Sequence, residues 1–254
     1  MLATQRAGRT DPGAAMTDQE HDDVPLIADE LDLIAQACGG GAKRTIELGC
    51  GPAALARRLV ARFAGSTVAA LEVDSVQHAK NLAAPTAGIE FIAAGAQAIP
   101  FAQASFDLAI MLKSLHHVPV DLMPRAISEA ARVLKPGGLF YVSEPVYGGA
   151  FNTLIRLFND EGTERAAAQA ALDHALADTA VWRERAVHRV GIALSFKDFA
   201  DFEARQMRPS YANHQLDAGM IARVRNAFEP YCTADGAHFI RPLLIRILER
   251  GPDR

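Results

Sequence analysis

The sequence predicts an α/β protein built on a doubly wound, seven-stranded, mostly parallel sheet in which the last strand of the chain runs antiparallel. Three observations predict this fold. Five short segments between residues 44 and 144 are continuously apolar, as parallel strands buried on both faces are. Segments with apolar residues at helical spacing alternate with these strands. A glycine turn joins the first strand directly to the next helix.

The core elements follow one another in regular order, each identified by its apolar pattern. We expect a leading helix that ends at the glycines after residue 38, and a glycine-terminated helix before the fifth strand. The predicted elements are a helix over 26–37, a strand ending at 48, a helix over 53–63, strands over 67–72, 89–93 and 106–112, a helix over 121–134 and a strand over 139–144.

The segment after the fifth strand is too long for an ordinary connection. Its residues 151–158 and 164–177 and the segment around Trp182 have helical patterns, so we expect a lid over the carboxyl ends of the strands. Tyr211 and His214 are expected to flank a sixth strand, and residues 238–248 to form the closing strand. The predicted regions are a disordered tail (1–23), a core (24–148), a helical lid (149–206) and the C-terminal part of the sheet (207–254).

The composition is that of a globular chain long enough to bury a large core. Half of the 254 residues are hydrophobic and 22% are charged. The net charge of −4 gives no overall basic field, so nucleic acid is not an expected partner. No run approaches the roughly 18 apolar residues of a membrane span.

The N-terminus and the cysteines bear on the compartment. Residues 10–23 are polar and acidic where a signal peptide needs an apolar core, so we expect a cytoplasmic protein. The three cysteines are far apart, and no Cys/His cluster has the spacing of zinc ligands. The sequence therefore predicts a reducing compartment and no metal site.

The glycine turn predicts where a ligand binds. Gly49 and Gly51 allow backbone conformations closed to other residues and let a ligand lie against the main chain. The turn also fits a dinucleotide fingerprint, but Glu47 would repel a pyrophosphate and attract an ammonium group. The pattern favours a cofactor that carries an amino acid and no phosphate.

Glu72 ends the second strand, 21 positions after Gly51. This is close to the spacing of about 20 residues at which a carboxylate receives the ribose hydroxyls of a nucleoside. The same residue would serve a nicotinamide-dependent dehydrogenase equally well, so that alternative remains open at this point.

Six motifs resemble, in order, those of class I S-adenosylmethionine-dependent methyltransferases, which have a Rossmann-like fold. The resemblance covers roughly residues 44 to 146. The motifs are Glu-Leu-Gly-Cys-Gly-Pro (47–52), Leu-Glu-Val-Asp (71–74), Ala-Ile-Pro-Phe (98–101), Ser-Phe-Asp-Leu-Ala (105–109), Leu-His-His-Val (115–118) and Ala-Arg-Val-Leu-Lys-Pro-Gly-Gly (131–138).

The resemblance implies roles for residues around the cofactor. It implies that Glu72 takes both ribose hydroxyls and that Val73 packs on the adenine. The methionine part of the cofactor would be surrounded by Glu47, Gly49, Cys50 and Gly51.

The adenine end shows one departure from the family pattern. Ala96 and Gln97 match the turn beside the adenine, but Gly95 stands where the family usually has an acid that binds the adenine amino group. Backbone groups or Gln97 are the expected replacement. Lys113, at the end of the fourth strand, would supply a backbone carbonyl near the cofactor.

Two polar residues are the candidates for catalysis. His116 and His117 occupy a turn that the family often fills with histidine, and one of them is expected to be structural. His117 is the favoured candidate for a general acid or base, because it lies just beyond the fourth strand and histidine titrates near neutral pH. Tyr147, with Glu144, follows the fifth strand and is the second candidate.

The predicted function is transfer of a methyl group from S-adenosylmethionine to an oxygen, nitrogen or carbon atom of a small, partly apolar molecule, with S-adenosylhomocysteine as product. Positioning would supply most of the catalysis, because the sulfonium is already a strong electrophile. A protein that binds the cofactor without transferring methyl, and an NAD-dependent oxidoreductase, are the alternatives. Monomer and homodimer remain equally open.

Overall fold

One mixed sheet organises the fold, seen in a computed structural model that describes residues 18–208 and 216–252. Seven of the described strands lie side by side in the order β3-β2-β1-β4-β5-β8-β6, and the two-residue β7 pairs with β8. The strands are β1 Arg44–Leu48, β2 Thr67–Glu72, β3 Ile89–Ala93, β4 Phe106–Leu112, β5 Leu134–Pro145, β6 Trp182–Phe196, β7 Cys232–Thr233 and β8 Gly236–Arg250.

The strand directions confirm the predicted sheet. β1 to β5 pair in parallel, and β8 runs antiparallel to both of its neighbours, β5 and β6. The carboxyl ends of the parallel strands therefore share one rim of the sheet, where ligands of doubly wound sheets bind.

The helices cover both faces of the sheet. α2 and α3 pack on one face, and α5 and α7 pack on the other. Successive residues of each central strand contribute to opposite layers, which explains their continuous apolar runs. The helices of the described residues are α1 Asp18–Asp22, α2 Glu30–Ala37, α3 Ala54–Arg62, α4 Ser75–Ala83, α5 Met123–Val133, α6 Ala150–Ile155, α7 Gly162–Ala177, α8 Phe199–Phe202 and α9 Ala218–Phe228.

The neighbouring strands β6 and β8 extend beyond the rim. β5 ends at Pro145, which lies opposite Leu243, whereas β6 and β8 stay paired as far as Phe196 and Ala237. Side chains of α6, α8 and α9 pack against this extension in a third apolar cluster, which we call the phenylalanine cluster. Its phenylalanines are Phe151, Phe196, Phe199, Phe202, Phe228 and Phe239.

The segment predicted as a wholly helical lid contains a strand instead. Residues 182–196 form β6, so the expected helix around Trp182 is wrong. From Trp182 to Phe196 every second residue is apolar at most positions, which is the period of a strand with one buried face. α7 packs beside α5 on the sheet, with Ala168 and Leu172 fully buried there.

Two further predictions concern residues 211–214 and the N-terminal tail. The sixth strand expected between Tyr211 and His214 falls on residues outside the described range, and so does most of the predicted disordered tail. Residues 18–22 of that tail form α1. In the described part of the chain, every helix is too short or too polar to cross a membrane.

Candidate active site

The glycine turn after β1 has the backbone that only glycine adopts readily. Gly49 has a φ of 77° and Gly51 a φ of 51°. A Cβ atom at Gly49 would lie 2.9 Å from the Cβ atom of Ser114. The absence of a side chain at residue 49 therefore lets the turn approach the end of β4 this closely. The hydroxyl of Ser114 donates to the Leu48 carbonyl at 2.7 Å and fixes this approach.

Glu47 lies beneath the turn and is buried, with 3% of its surface exposed. Its Oε2 atom has no hydrogen-bond partner among the described residues. Burial raises its pKa to about 8; a hydrogen bond from the Ala56 backbone opposes this rise, and the nearby Glu72 adds to it. A buried carboxylate without a counter-ion is costly, so this position fits a ligand that brings an ammonium group.

Glu72 ties the end of β2 to the glycine turn. Its Oε2 accepts a hydrogen bond from the Gly51 backbone at 2.7 Å, and its Oε1 accepts one from the Asp74 backbone at 2.9 Å. A carboxylate has about four acceptor sites, so two remain for ligand hydroxyls. Val73 beside it is 72% exposed and offers an apolar face at the same edge.

The side chain of Gln97 fills the space beside Gly95 in the turn after β3. A Cβ atom at Gly95 would overlap the side-chain amide of Gln97. The amide of Gln97 therefore lies over the position where a relative's acidic side chain would begin. Ala96 between them is buried.

Lys113 closes β4 in an unusual conformation. Its φ is 59°, in the left-handed region that costs a residue other than glycine about 1 kcal/mol or more. Its backbone N–H donates to the Ser143 carbonyl at 2.7 Å, and its ammonium pairs with the buried Glu30 of α2. These contacts fix the backbone at the rim and fasten α2 to it.

Glu144 and His116 form a buried pair at the end of β5. Glu144 is 1% exposed and His116 is 5% exposed. One Glu144 oxygen accepts from the Leu115 backbone at 2.9 Å, and the other contacts Nδ1 of His116. An ionised carboxylate only accepts, so this contact places a proton on Nδ1, and in a neutral ring Nε2 then keeps its lone pair. The sequence favoured His117, whereas the structure brings His116 against Glu144.

His117 and Tyr147 keep part of their surface in solvent. The His117 ring lies 4.0 Å from the His116 ring, centroid to centroid. Desolvation, followed by the neighbouring His116, lowers the pKa of His117. Tyr147 is 41% exposed, and its ring lies against Gly162 at the start of α7.

Sequence reasoning missed Glu161 and Arg165, which complete this side of the rim. Arg165 donates to Glu161 at 2.7 Å and to the Asn152 side chain at 2.7 Å. Burial acts to raise the pKa of Glu161, but the hydrogen bonds from Arg165 and Asn159 and the charges of His116 and Arg165 together lower it. The spacing of four residues, typical of a helical ion pair, was the available signal.

Comparison with known proteins identifies the protein family of the segment that carries the glycine turn. Residues 46–142, from β1 to β5, match the model of a family described as a methyltransferase domain. This part of the chain belongs to the class I S-adenosylmethionine-dependent methyltransferases. Membership implies S-adenosylmethionine as the methyl donor, and the unpaired Glu47 fits the ammonium group of that molecule.

A curated relative of this methyltransferase-family chain is a fatty-acid O-methyltransferase of Mycolicibacterium smegmatis. The two are 32% identical over 142 residues, which cover 53% of this chain and 49% of the relative. The chain spans about half the length of the curated relatives it matches.

Solved structures of low sequence identity share the fold. The YcgJ protein of Bacillus subtilis has a TM-score of 0.58 at 16% identity, over 88% of this chain and 98% of its own. The [4+2]-cyclase SpnF has a TM-score of 0.52 at 20% identity, over 88% of this chain and 80% of its own. Since one of these is named a cyclase, this methyltransferase fold by itself does not specify the reaction.

Proposed function

We propose that the chain transfers the methyl group of S-adenosylmethionine to a small, partly apolar acceptor and releases S-adenosylhomocysteine. The observation that carries the proposal is the buried Glu47 with its unpaired Oε2, directly below the Gly49–Gly51 turn. A dinucleotide would place phosphates near this carboxylate, which electrostatic repulsion disfavours. The family match supports the same cofactor.

Each predicted cofactor residue has a role in this proposal. Glu47 would hold the ammonium group, and Glu72 would accept the ribose hydroxyls with its two remaining acceptor sites. Val73 would pack against the adenine, and the Gln97 amide would replace the missing acid as its hydrogen-bond partner. The methionine part of the cofactor would contact the backbone of four residues, namely Gly49, Cys50, Gly51 and Lys113. Ala96 would line the turn beside the adenine.

The bound cofactor supplies an electrophilic methyl group. The chain's task is then to hold the acceptor atom in line with that group at near-attack distance and to keep water out. An acceptor that loses a proton would find His117 or Tyr147 at the rim, where both are exposed in part. The buried Glu144–His116 pair would fix the backbone and ring that support them.

A small and partly apolar acceptor is favoured by the surroundings of the site. Tyr147, which is 41% exposed just past the end of β5, offers an apolar ring face beside the start of α7. The net charge of −4 gives no field for nucleic acid. A relative named as a fatty-acid O-methyltransferase supports an apolar acceptor.

Calorimetric titration with S-adenosylmethionine, S-adenosylhomocysteine and NAD in parallel tests the cofactor. We expect micromolar binding of the first two and none of NAD. An acceptor screen read by a mass increase of one methyl group then tests the transfer. Binding of NAD alone would overturn the proposal, and cofactor binding with no methylated product across apolar acids, phenols and amines would point to a protein that binds without transferring methyl.

A further inference from the structure

We propose that His116, His117 and Glu161 form a binding site for one first-row transition-metal ion, with Zn²⁺ and Co²⁺ as the probes that fit it. The ion would lie at the acceptor side of the rim. This inference goes beyond methyl transfer, and the binding of the ion does not depend on that proposed function.

The three side chains lie close enough together to share one ion. One potential ligand atom from each residue lies within 4.8 Å of the other two. Nε2 of His116 is 3.8 Å from Oε2 of Glu161, too far for a hydrogen bond. Two ligands that each lie about 2.1 Å from a metal are separated by roughly 3 to 4 Å. The gap is therefore explained better by a shared ion than by a direct contact.

The groups behind the ligands also match a metal site. Glu144 contacts Nδ1 of His116, and a carboxylate in this position fixes the tautomer that presents Nε2 to a metal. Glu161 is oriented by Asn159, which donates to Oε1 at 2.9 Å, and by Arg165, which donates to Oε2 at 2.7 Å. The side chains of His116 and Glu161 are thus held in place before any ion binds.

The charge of the cluster favours a cation. Glu144 and Glu161 contribute two negative charges and Arg165 one positive charge, so the cluster carries a net charge of −1 when both histidines are neutral. Arg165 donates to Oε2 of Glu161, the same oxygen that would bind the ion, and would weaken the binding of the ion. This disfavours ions that depend on carboxylate ligands alone.

The ligand set selects the class of ion. Two imidazoles and one carboxylate suit Zn²⁺, Co²⁺, Ni²⁺ and Fe²⁺, whereas Mg²⁺ and Ca²⁺ prefer oxygen ligands. Three protein ligands leave positions open for a further molecule. If the proposed methyl transfer holds, an acceptor oxygen on an open position would lose its proton more easily, and the ion rather than His117 would assist that step.

The test is titration of the full chain, freed of metal by a chelator, with Co²⁺ and separately with Zn²⁺. We expect one equivalent of Co²⁺ to bind, with visible absorption of nitrogen and oxygen ligation, and Zn²⁺ to displace it. His117→Ala and Glu161→Gln should each weaken binding at least about tenfold. His174→Ala, an exposed histidine on α7 outside the cluster, should bind as the unchanged chain does.

Three outcomes would overturn the site. They are no binding at millimolar ion, equal binding in His117→Ala and the unchanged chain, and a cobalt–thiolate band that assigns the ion to a cysteine such as the exposed Cys232. The His117 ring is exposed, so this variant is expected to fold even if Glu161→Gln does not. Titration of the metal-free chain with S-adenosylmethionine is read separately, so failure of the cofactor proposal and failure of the metal site are distinguishable.

Discussion

The carboxylate of Glu47 should make cofactor affinity depend on pH. Its pKa is raised to about 8 in the free chain, so it is mostly protonated at pH 6 to 7. An ammonium group binds the ionised form, so binding must release the proton below pH 8. We expect the affinity for S-adenosylhomocysteine to rise with pH from 6 to 8, by up to about tenfold per unit. Calorimetry at pH 6, 7 and 8 measures this slope.

Glu47→Gln is the control for that slope. The amide has nearly the shape of the carboxylic acid and no titration in this range, so binding should be weaker and almost independent of pH. A slope that persists in the variant would assign the titration to another group.

Glu72→Ala should weaken S-adenosylmethionine binding by roughly 1.5 to 3 kcal/mol, because charge-assisted hydrogen bonds are lost. The change also removes the acceptor for the Gly51 backbone, which loosens the turn. Calorimetry on the folded variant gives the loss. Glu90→Ala, an exposed glutamate on the neighbouring β3, is the matched control and should leave affinity unchanged. Equal affinity of Glu72→Ala and the control for S-adenosylmethionine would show that Glu72 does not bind the ribose hydroxyls.

Gly95→Ala should affect the ligand rather than the fold. The new methyl group overlaps only the far end of the flexible Gln97 side chain, which swings away. If Gln97 binds the adenine, Gly95→Ala and Gln97→Ala should each weaken cofactor binding several-fold, and the double variant should be no worse than either. Additive losses in the binding titrations would show that Gln97 does not replace the missing acid.

At the scale of elements, the phenylalanine cluster is the packing that holds the extended strands. Phe202 is fully buried, and its ring centroid is 5.1 Å from that of Phe196 and 5.0 Å from that of Phe228. Phe202→Ala should lower the free energy of unfolding by about 3 to 5 kcal/mol, measured in urea. Phe202→Leu keeps most of the volume and should lose less. A loss below about 1 kcal/mol for the alanine variant would mean that the cluster collapses around the gap.

The elements that the sequence predicts well are those with a local cause. The strands β1 to β4 are short apolar runs, and α4 begins where Asp74 accepts hydrogen bonds from Val76 and Gln77. β5 contains the predicted run 139–144 but begins earlier, at Leu134. β6 was not predicted, because charged residues interrupt its alternating pattern of apolar and polar residues. The two helices that precede it also favoured the prediction of a further helix. Its partner, β8, lies some 50 residues further along the chain, beyond the reach of local patterns.

At the scale of the whole molecule, the candidate site combines segments of two kinds. The glycine turn, Glu72 and the Gly95–Gln97 turn follow strand ends, and strand ends meet at one rim, so their proximity was predictable. Glu161 and Arg165 reach the same rim from α7, whose place beside α5 depends on the buried Ala168 and Leu172. That docking, and the choice of His116 over His117 by Glu144, are tertiary facts without a local signal.

The place of β8 between β5 and β6 has a consequence for how the chain folds. β5 and β6 are both synthesised before residues 236–250, yet neither gains its neighbour on that side until β8 enters between them. During translation β5 therefore waits with an open edge and β6 without its pairing partner. Such edges favour pairing with other chains. Completion of the described sheet is delayed until β8 leaves the ribosome, and aggregation competes with folding until then.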